Sequence, residues 1–495
     1  MRRTLLIVLP VAAVGLAVTL LVMQATSRDD AQGATPQDPA QAAASGHQLS
    51  PKAFVIEGIP HVLQKPDFCG EACAEMYLRK LGQTVTQDDV FNASSLDPSL
   101  GRGCYTAELQ KALTRLGFTP GTVAASIDAD QAPAQLEAQW QRVEKDLRAG
   151  IPSILCMHYS DQPQTTEHFR LVVGYDPETT DVIYHEPAEE NGAYRHMKKA
   201  DLLKLWPLKY STKAWTVITL RLAHEKIVPP ARREGFTDAD YAQHILELKK
   251  RMPAGFTLVL QKPFVVVGDE SAAVVRQRAE QTVSWAVTRL KALYFAKDPA
   301  DILDVWLFKD KASYEKYTKE IFNDRPTTPY GYFSHTHKAL IMNIGTGGGT
   351  LVHEIVHPFV ATNFPECPSW FNEGLGSLYE QSSSRDNAII GLPNWRLPGL
   401  QKAITAGTVP TFEKLTATTT DEFYHGERST NYAQARYLCY YLQEKGLLKK
   451  FYHEFYKNRA DDPTGYKTLV AVLGEKDMAD FQKRWEKFVL GLQFP

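Results

Sequence analysis

Several things are scarce in this chain, and each scarcity narrows its class. It holds six cysteines in 495 residues, too few for a fold stapled by disulfides. Neither sign of charge dominates: 55 Lys and Arg stand against 57 Asp and Glu, a formal net charge of −2. That leaves no global electrostatic case for nucleic acid. Gly (31) and Pro (29) are near average, which excludes a collagenous chain. No internal repeat is visible, and no second long apolar run follows the first. With 44% apolar and 23% charged residues, the composition is that of an ordinary globular protein with room for more than one core.

The one long apolar run, Leu5 to Met23, follows Arg2 and Arg3. Its nineteen residues span about 28 Å as a helix, close to a hydrocarbon core. The positive flank belongs on the cytoplasmic side, so the remainder is expected to be exported. The run is either an uncleaved signal anchor or a cleaved signal peptide; no clean A-x-A site follows, and no cysteine for lipid attachment. Residues 24–50, rich in Ala, Gln, Asp, Pro and Ser, read as a flexible linker.

From residue 51 to about 225 the period is first helical, then that of strands. Helices are predicted to open near Gly70 and over about 105–117 and 133–149. IPSILCMHY, HFRLVVGYD, DVIYHEPA and AWTVITLRL read as strands, and helices followed by an antiparallel sheet make an α+β unit. Cys69 would start the first helix, where free amides and the dipole favour thiolate. His168 heads a strand that could face it, as a base for a cysteine nucleophile. Glu186 or Asp181 could orient the imidazole, and Gln64 could donate its amide to an oxyanion. A Cys73–Cys104 bridge would staple the first helix to the next segment; a Cys69–Cys73 bridge would cripple the nucleophile.

Gln64, Cys69-Gly70, His168 with the Val172–Asp176 string, and Glu186-Pro187 together resemble the papain-like C39 peptidase family over about residues 60–190. The resemblance implies a papain-like fold and either a cysteine peptidase or a peptide-binding module. Two positions depart from it: Glu186 stands where Asp or Asn is usual, and Glu71 where Pro is commoner.

Residues 226–255 read as a linker with a short helix, and 256–495 as a second unit. Its strands and helices alternate into a small mixed sheet with helices against it. The decisive string is TLVHEIVHPFV. His353 and His357 stand at i and i+4 on one helical face, so both imidazoles can meet one metal, and Glu354 lies close enough to take a proton from water there. With 14 histidines in the chain, chance gives about 0.02–0.03 such strings. Thr350 is the expected N-cap, and Pro358 is expected to kink the helix or end it early. Catalytic zinc needs a third protein ligand. Glu373, in an apolar helical segment, is the first choice, with Glu380 and Glu366 as rivals.

This part, with Asn372-Glu373-Gly374 downstream of HExxH, resembles the gluzincin (peptidase MA-like) zinc metallopeptidases over about 255–480. The resemblance implies a thermolysin-like domain, Zn2+ on His353, His357 and Glu373, and a peptide or protein substrate adding as a strand along Ala339 to Ile344. It also implies an oxyanion-stabilising side chain in the helical lobe, Tyr432 first and His425 second. The carboxylate usual four residues after the Glu ligand is replaced by Ser377. Cys367 and Cys439 could bridge the Glu373 helix to the far lobe. The expectation is thus an exported zinc peptidase with an attached C39-like unit. Two alternatives stay open: a non-catalytic peptide-binding scaffold with structural zinc, or a peptidase whose main centre is Cys69 and His168.

Overall fold

A computed structural model describes residues 49–162, 165–231, 234–326, 328–425 and 428–494. Leu49–Pro495 form one compact unit. The apolar run at 5–23 and the linker after it lie outside the described residues. Among the described residues, no helix is long and apolar enough to cross a membrane.

The first half mixes helix and sheet. Seven strands form an antiparallel sheet in the order 124–128, 214–221, 153–158, 167–176, 181–185, 195–198, with 54–55 paired to the central 167–176 strand. Nine of the ten residues of Glu167–Asp176 are buried, because helices cover both faces. Cys69–Lys80 and Thr106–Arg115 pack with Phe169, Leu171 and Val173. Ala132–Arg148 lays Leu136, Trp140, Val143 and Leu147 against Val172 and Tyr175 on the other face. The change of register between Val172 and Gly174 is a bulge that resets which side chains face which layer.

The second half holds a five-stranded mixed sheet, in the order 257–261, 264–268, 303–308, 339–343, 331–334. The inner three strands are parallel, and both edges are antiparallel hairpin partners. This corrects the expected peptide edge: Ala339–Asn343 is an inner strand, and Gly331–Ser334 forms the edge. The register fixes what that edge offers. Asn343 donates its amide to Tyr330 O, so Tyr332↔Ile341 and Ser334↔Ala339 are the hydrogen-bonded pairs, and the backbone groups of Phe333 point outward.

Gly349–Asn363 is the HExxH helix. It begins one residue before Thr350 and has no side-chain cap, and Pro358 sits inside it without ending it. The missing amide and the ring clash cost about 3 kcal/mol. Phe359 and Val360, which follow the proline and are buried in the same core, each return about 1.5–3 kcal/mol on burial, so continuing the helix wins. Ser369–Leu378 packs beside it, and a helical lobe from Leu397–Thr405 to Met478–Leu490 closes over both. All six cysteines are free thiols, so none of the three bridges considered from sequence is formed.

Candidate functional site

Two clusters gather side chains that can do chemistry, and the more complete is on the HExxH helix. His353, His357 and Glu373 each bring one ligating atom to within 4.8 Å of the others. Their Nε2 atoms face the carboxylate: His353 Nε2 lies 3.2 Å from Glu373 Oε2 and His357 Nε2 3.9 Å from Oε1. The i, i+4 spacing aligns the rings, whose centroids are 4.8 Å apart. Gly376 makes room for them: a Cβ there would come within 3.3 Å of the His353 ring.

The outer ring nitrogens each face an oxygen. His357 Nδ1 meets Asn372 Oδ1 at 3.0 Å, and His353 Nδ1 lies 3.2 Å from Glu380 Oε1. Glu380 is buried and accepts from Asn394 Nδ2 at 3.0 Å and from both Arg396 nitrogens, at 3.1 and 2.7 Å. Glu380 therefore supplies the orienting carboxylate that Ser377 could not, and it is not the ligand it was weighed as from sequence. Sequence spacing gives no direct cue for it, since the helix ends at Leu378 and Glu380 stands in the turn beyond. Glu366 pairs with Arg459 at the surface, 3.4 Å away, and is no ligand.

Electrostatics fits this arrangement. Burial raises the Glu373 carboxyl, but His357 and His353 outweigh it and bring its pKa down to about 2. Glu380 falls to about 2 in the same way: burial opposes, and His353 and Arg396 win. Glu354 is pushed up, chiefly by burial, the direction a proton acceptor needs. Its Oε2 accepts the outward amide of Phe333 at 3.1 Å. Tyr424, unnoticed in the sequence, donates its hydroxyl to Glu373 Oε1. Tyr432 packs behind it, its ring 5.1 Å from Phe423 and under the Arg396 guanidinium at 5.3 Å. His425 is exposed beside Asp421.

These residues suit a divalent cation. Glu373 Oε2 is buried with no hydrogen-bond donor, although the His353 imidazole faces it, and the His357 imidazole faces the other oxygen. With their ligating nitrogens free of protons, two imidazoles and a carboxylate form a donor set that suits zinc.

The second centre lies at the first helix. Cys69 is its first residue, half-buried. Burial works against the expected thiolate: it pushes the thiol up to about 12, against a backbone hydrogen bond with Phe169, and Glu71 and Asp67 add to the rise. The dipole of one helix end is too small to offset that desolvation. His168 gives Nε2 to Glu186 Oε1 at 2.5 Å, and Arg170 Nε donates to Glu186 Oε2 at 2.6 Å. Burial raises the Glu186 carboxyl, but His168 and Arg170 outweigh it and bring it to about 2. Asp181 instead pairs with Lys198 at 2.7 Å and does not orient His168. The buried Gln64 Oε1 has no partner. No hydrogen bond joins Cys69 to His168 among the described residues.

Glu71 is fully buried and accepts from Cys104 N at 2.7 Å. Desolvation raises its pKa from 4.5 to about 7, against that backbone bond. The folded chain then holds this proton between pH 4.5 and 7 where the unfolded chain has lost it, so stability falls as pH rises through that window. Denaturation at pH 5 and pH 8 should show wild type losing about 3 kcal/mol relative to Glu71→Gln. A difference that does not vary with pH would refute the buried-acid account.

Comparison with known proteins bears on the first half alone. No curated protein matches the chain. A solved structure described as "Structure of EndoMS in apo form" covers 40% of this chain and 95% of its own at 13% identity, with a TM-score of 0.09, which carries no argument. Residues 56–213 match the model of the Peptidase_C39 like family, and this match points to a peptidase of cysteine type over that part of the chain.

Proposed function

We propose that this protein is a zinc-dependent peptidase with its centre on His353, His357 and Glu373. The observation that carries the reading is the convergence of three ligating atoms within 4.8 Å around a buried carboxylate oxygen with no donor. Zinc held there would polarise water and a peptide carbonyl. The rest is done by the chain. Glu354 takes the proton of the attacking water, and the same carboxyl returns it to the amine as the C–N bond breaks. Glu380 and Asn372, facing the two Nδ1 atoms, would orient the His353 and His357 rings. Tyr432, its ring 6.1 Å from that of Tyr424, is the phenol assigned here to steady the developing oxyanion. An extended peptide would add to the edge strand Gly331–Ser334, where the Phe333 carbonyl faces outward while its amide is held by Glu354. Export and a membrane tether or signal are proposed from Arg2, Arg3 and the apolar run alone.

A second reading puts hydrolysis at Cys69 with His168 as base. The family match and the His168–Glu186 bond favour it, and the buried, protonated thiol weighs against it. Without chemistry there, the C39-like part would serve as a peptide-binding module. Peptide hydrolysis by the purified chain separates these readings. A chelator is expected to abolish it, added zinc to restore it, and iodoacetamide to leave it intact. Loss to the alkylator alone would move the activity to Cys69.

A further inference from the structure

The helix Asp238–Arg251 lies outside the matched residues 56–213, yet it grips the loops that frame Cys69. A capping box between Thr237 and Asp240 opens it, and Lys249, Lys250 and Arg251 fill its last turn, both favourable to a helix. Its apolar residues serve two cores. Ala239 and Ala242 join the core beneath the antiparallel sheet, while Tyr241, Ile245 and Leu248 join the outer face of the mixed sheet.

The polar contacts divide in the same way. Towards the mixed sheet, His244 Nε2 lies 2.7 Å from Asp304 Oδ1, and Arg251 Nη2 holds the other oxygen. Asp304 is 1% exposed, so the helix is pinned there by a desolvated carboxylate. Towards Cys69, Gln243 Nε2 donates to Pro66 O at 2.8 Å and Lys249 Nζ to Leu100 O at 2.6 Å. Pro66 stands three residues before Cys69, and Asp67 between them has φ 65°. Gly101, next to Leu100, has φ 53°, and a Cβ there would lie 2.7 Å from Ile245 Cγ2. The backbone rests directly on the helix.

The second loop is also tied to the chain on both sides of Cys69 in sequence. Gly103 N donates to Asp67 Oδ2 at 2.9 Å, and Cys104 N to Glu71 Oε1 at 2.7 Å. We propose that this bridging helix, through Gln243 and Lys249 as positioning residues, sets the place of the Cys69 thiol, so that the cysteine centre is built from both halves of the chain. The inference goes beyond the zinc reading and needs no hydrolysis at either centre.

The test reads the thiol in the full-length protein. Iodoacetamide labelling is followed at Cys69 by peptide mass spectrometry, with the other half-buried thiol, Cys367, as internal reference. Gln243→Leu removes the donor and is expected to speed Cys69 labelling about fivefold, the population change that loss of one ordinary hydrogen bond produces. Its pH profile should shift downward as burial loosens. Lys249→Met should act in the same direction, and Gln243→Arg, which restores a donor, should return the rate towards wild type. Unchanged Cys69 rates and pH profiles in both Gln243→Leu and Lys249→Met would overturn the proposal. So would Gln243→Arg behaving like Gln243→Leu, or Cys367 accelerating in parallel, since either marks general loosening.

Discussion

Glu354→Gln is expected to leave the metal bound and to cut peptide hydrolysis by about a thousandfold or more, the scale of a lost general base. The substitution is close to isosteric, and its amide oxygen can still accept from Phe333 N, the bond Glu354 Oε2 makes at 3.1 Å. The ligand set His353, His357 and Glu373 is untouched, so zinc content should stay near one per chain by elemental analysis. His353→Ala should behave differently. It removes a ligand and leaves Glu373 and Glu380, both held near pKa 2, facing each other without the imidazole between them. Zinc should then be lost along with activity. Full activity in zinc-loaded Glu354→Gln would end the metallopeptidase reading. Zinc retention without activity in either form would favour a structural metal in a binding scaffold.

Glu186→Ala should cost about 3 kcal/mol of stability, the range for stranding a buried charge. Arg170 is 5% exposed and gives Nε to Glu186 at 2.6 Å, and without the carboxylate it keeps only backbone acceptors, Tyr159 O at 3.0 Å and His158 O at 3.4 Å. The control is the pair: Arg170→Met with Glu186→Leu together should lose less than Glu186→Ala alone, because no buried charge is left unpartnered. Denaturant midpoints of the two variants decide it. If the double variant is the weaker, packing around the pair outweighs the charge. Glu186→Ala would also release the His168 ring, so any Cys69-dependent chemistry should fall in parallel with its pH profile altered.

Much of both centres was legible in the chain, and the failures have physical causes. The HExxH string with Asn372-Glu373-Gly374 located three side chains that the fold brings together, because i, i+4 spacing on a buried helix leaves the rings little freedom. Cys69 and His168 were placed on the right elements, and Glu186 was one of two candidates for the His168 partner. The charge state of the thiol was not legible, since it depends on burial, which one-dimensional reading sees poorly. The edge strand was misassigned although a signal existed. Ala339–Asn343 is buried on both faces and apolar up to Met342, whereas Tyr332 to Ser334 are only half-buried, and an unbroken apolar run marks an inner strand. Tyr424 and Arg396 were invisible because they reach the site from a distant lobe with no periodic cue. Tyr432 lies close to the site, but the phenol on the Glu373 carboxylate is that of Tyr424.

The division of Asp238–Arg251 between two cores bears on how this chain can be cut. A fragment ending near residue 225 would leave bare the apolar ground that Ala239 and Ala242 cover. One beginning near 256 would expose Trp306, Val265 and Val267 where Tyr241, Ile245 and Leu248 now lie. Neither piece could shed the segment without wetting an interior. Excision of either half therefore calls for a second copy of the same fourteen residues, one left with each product.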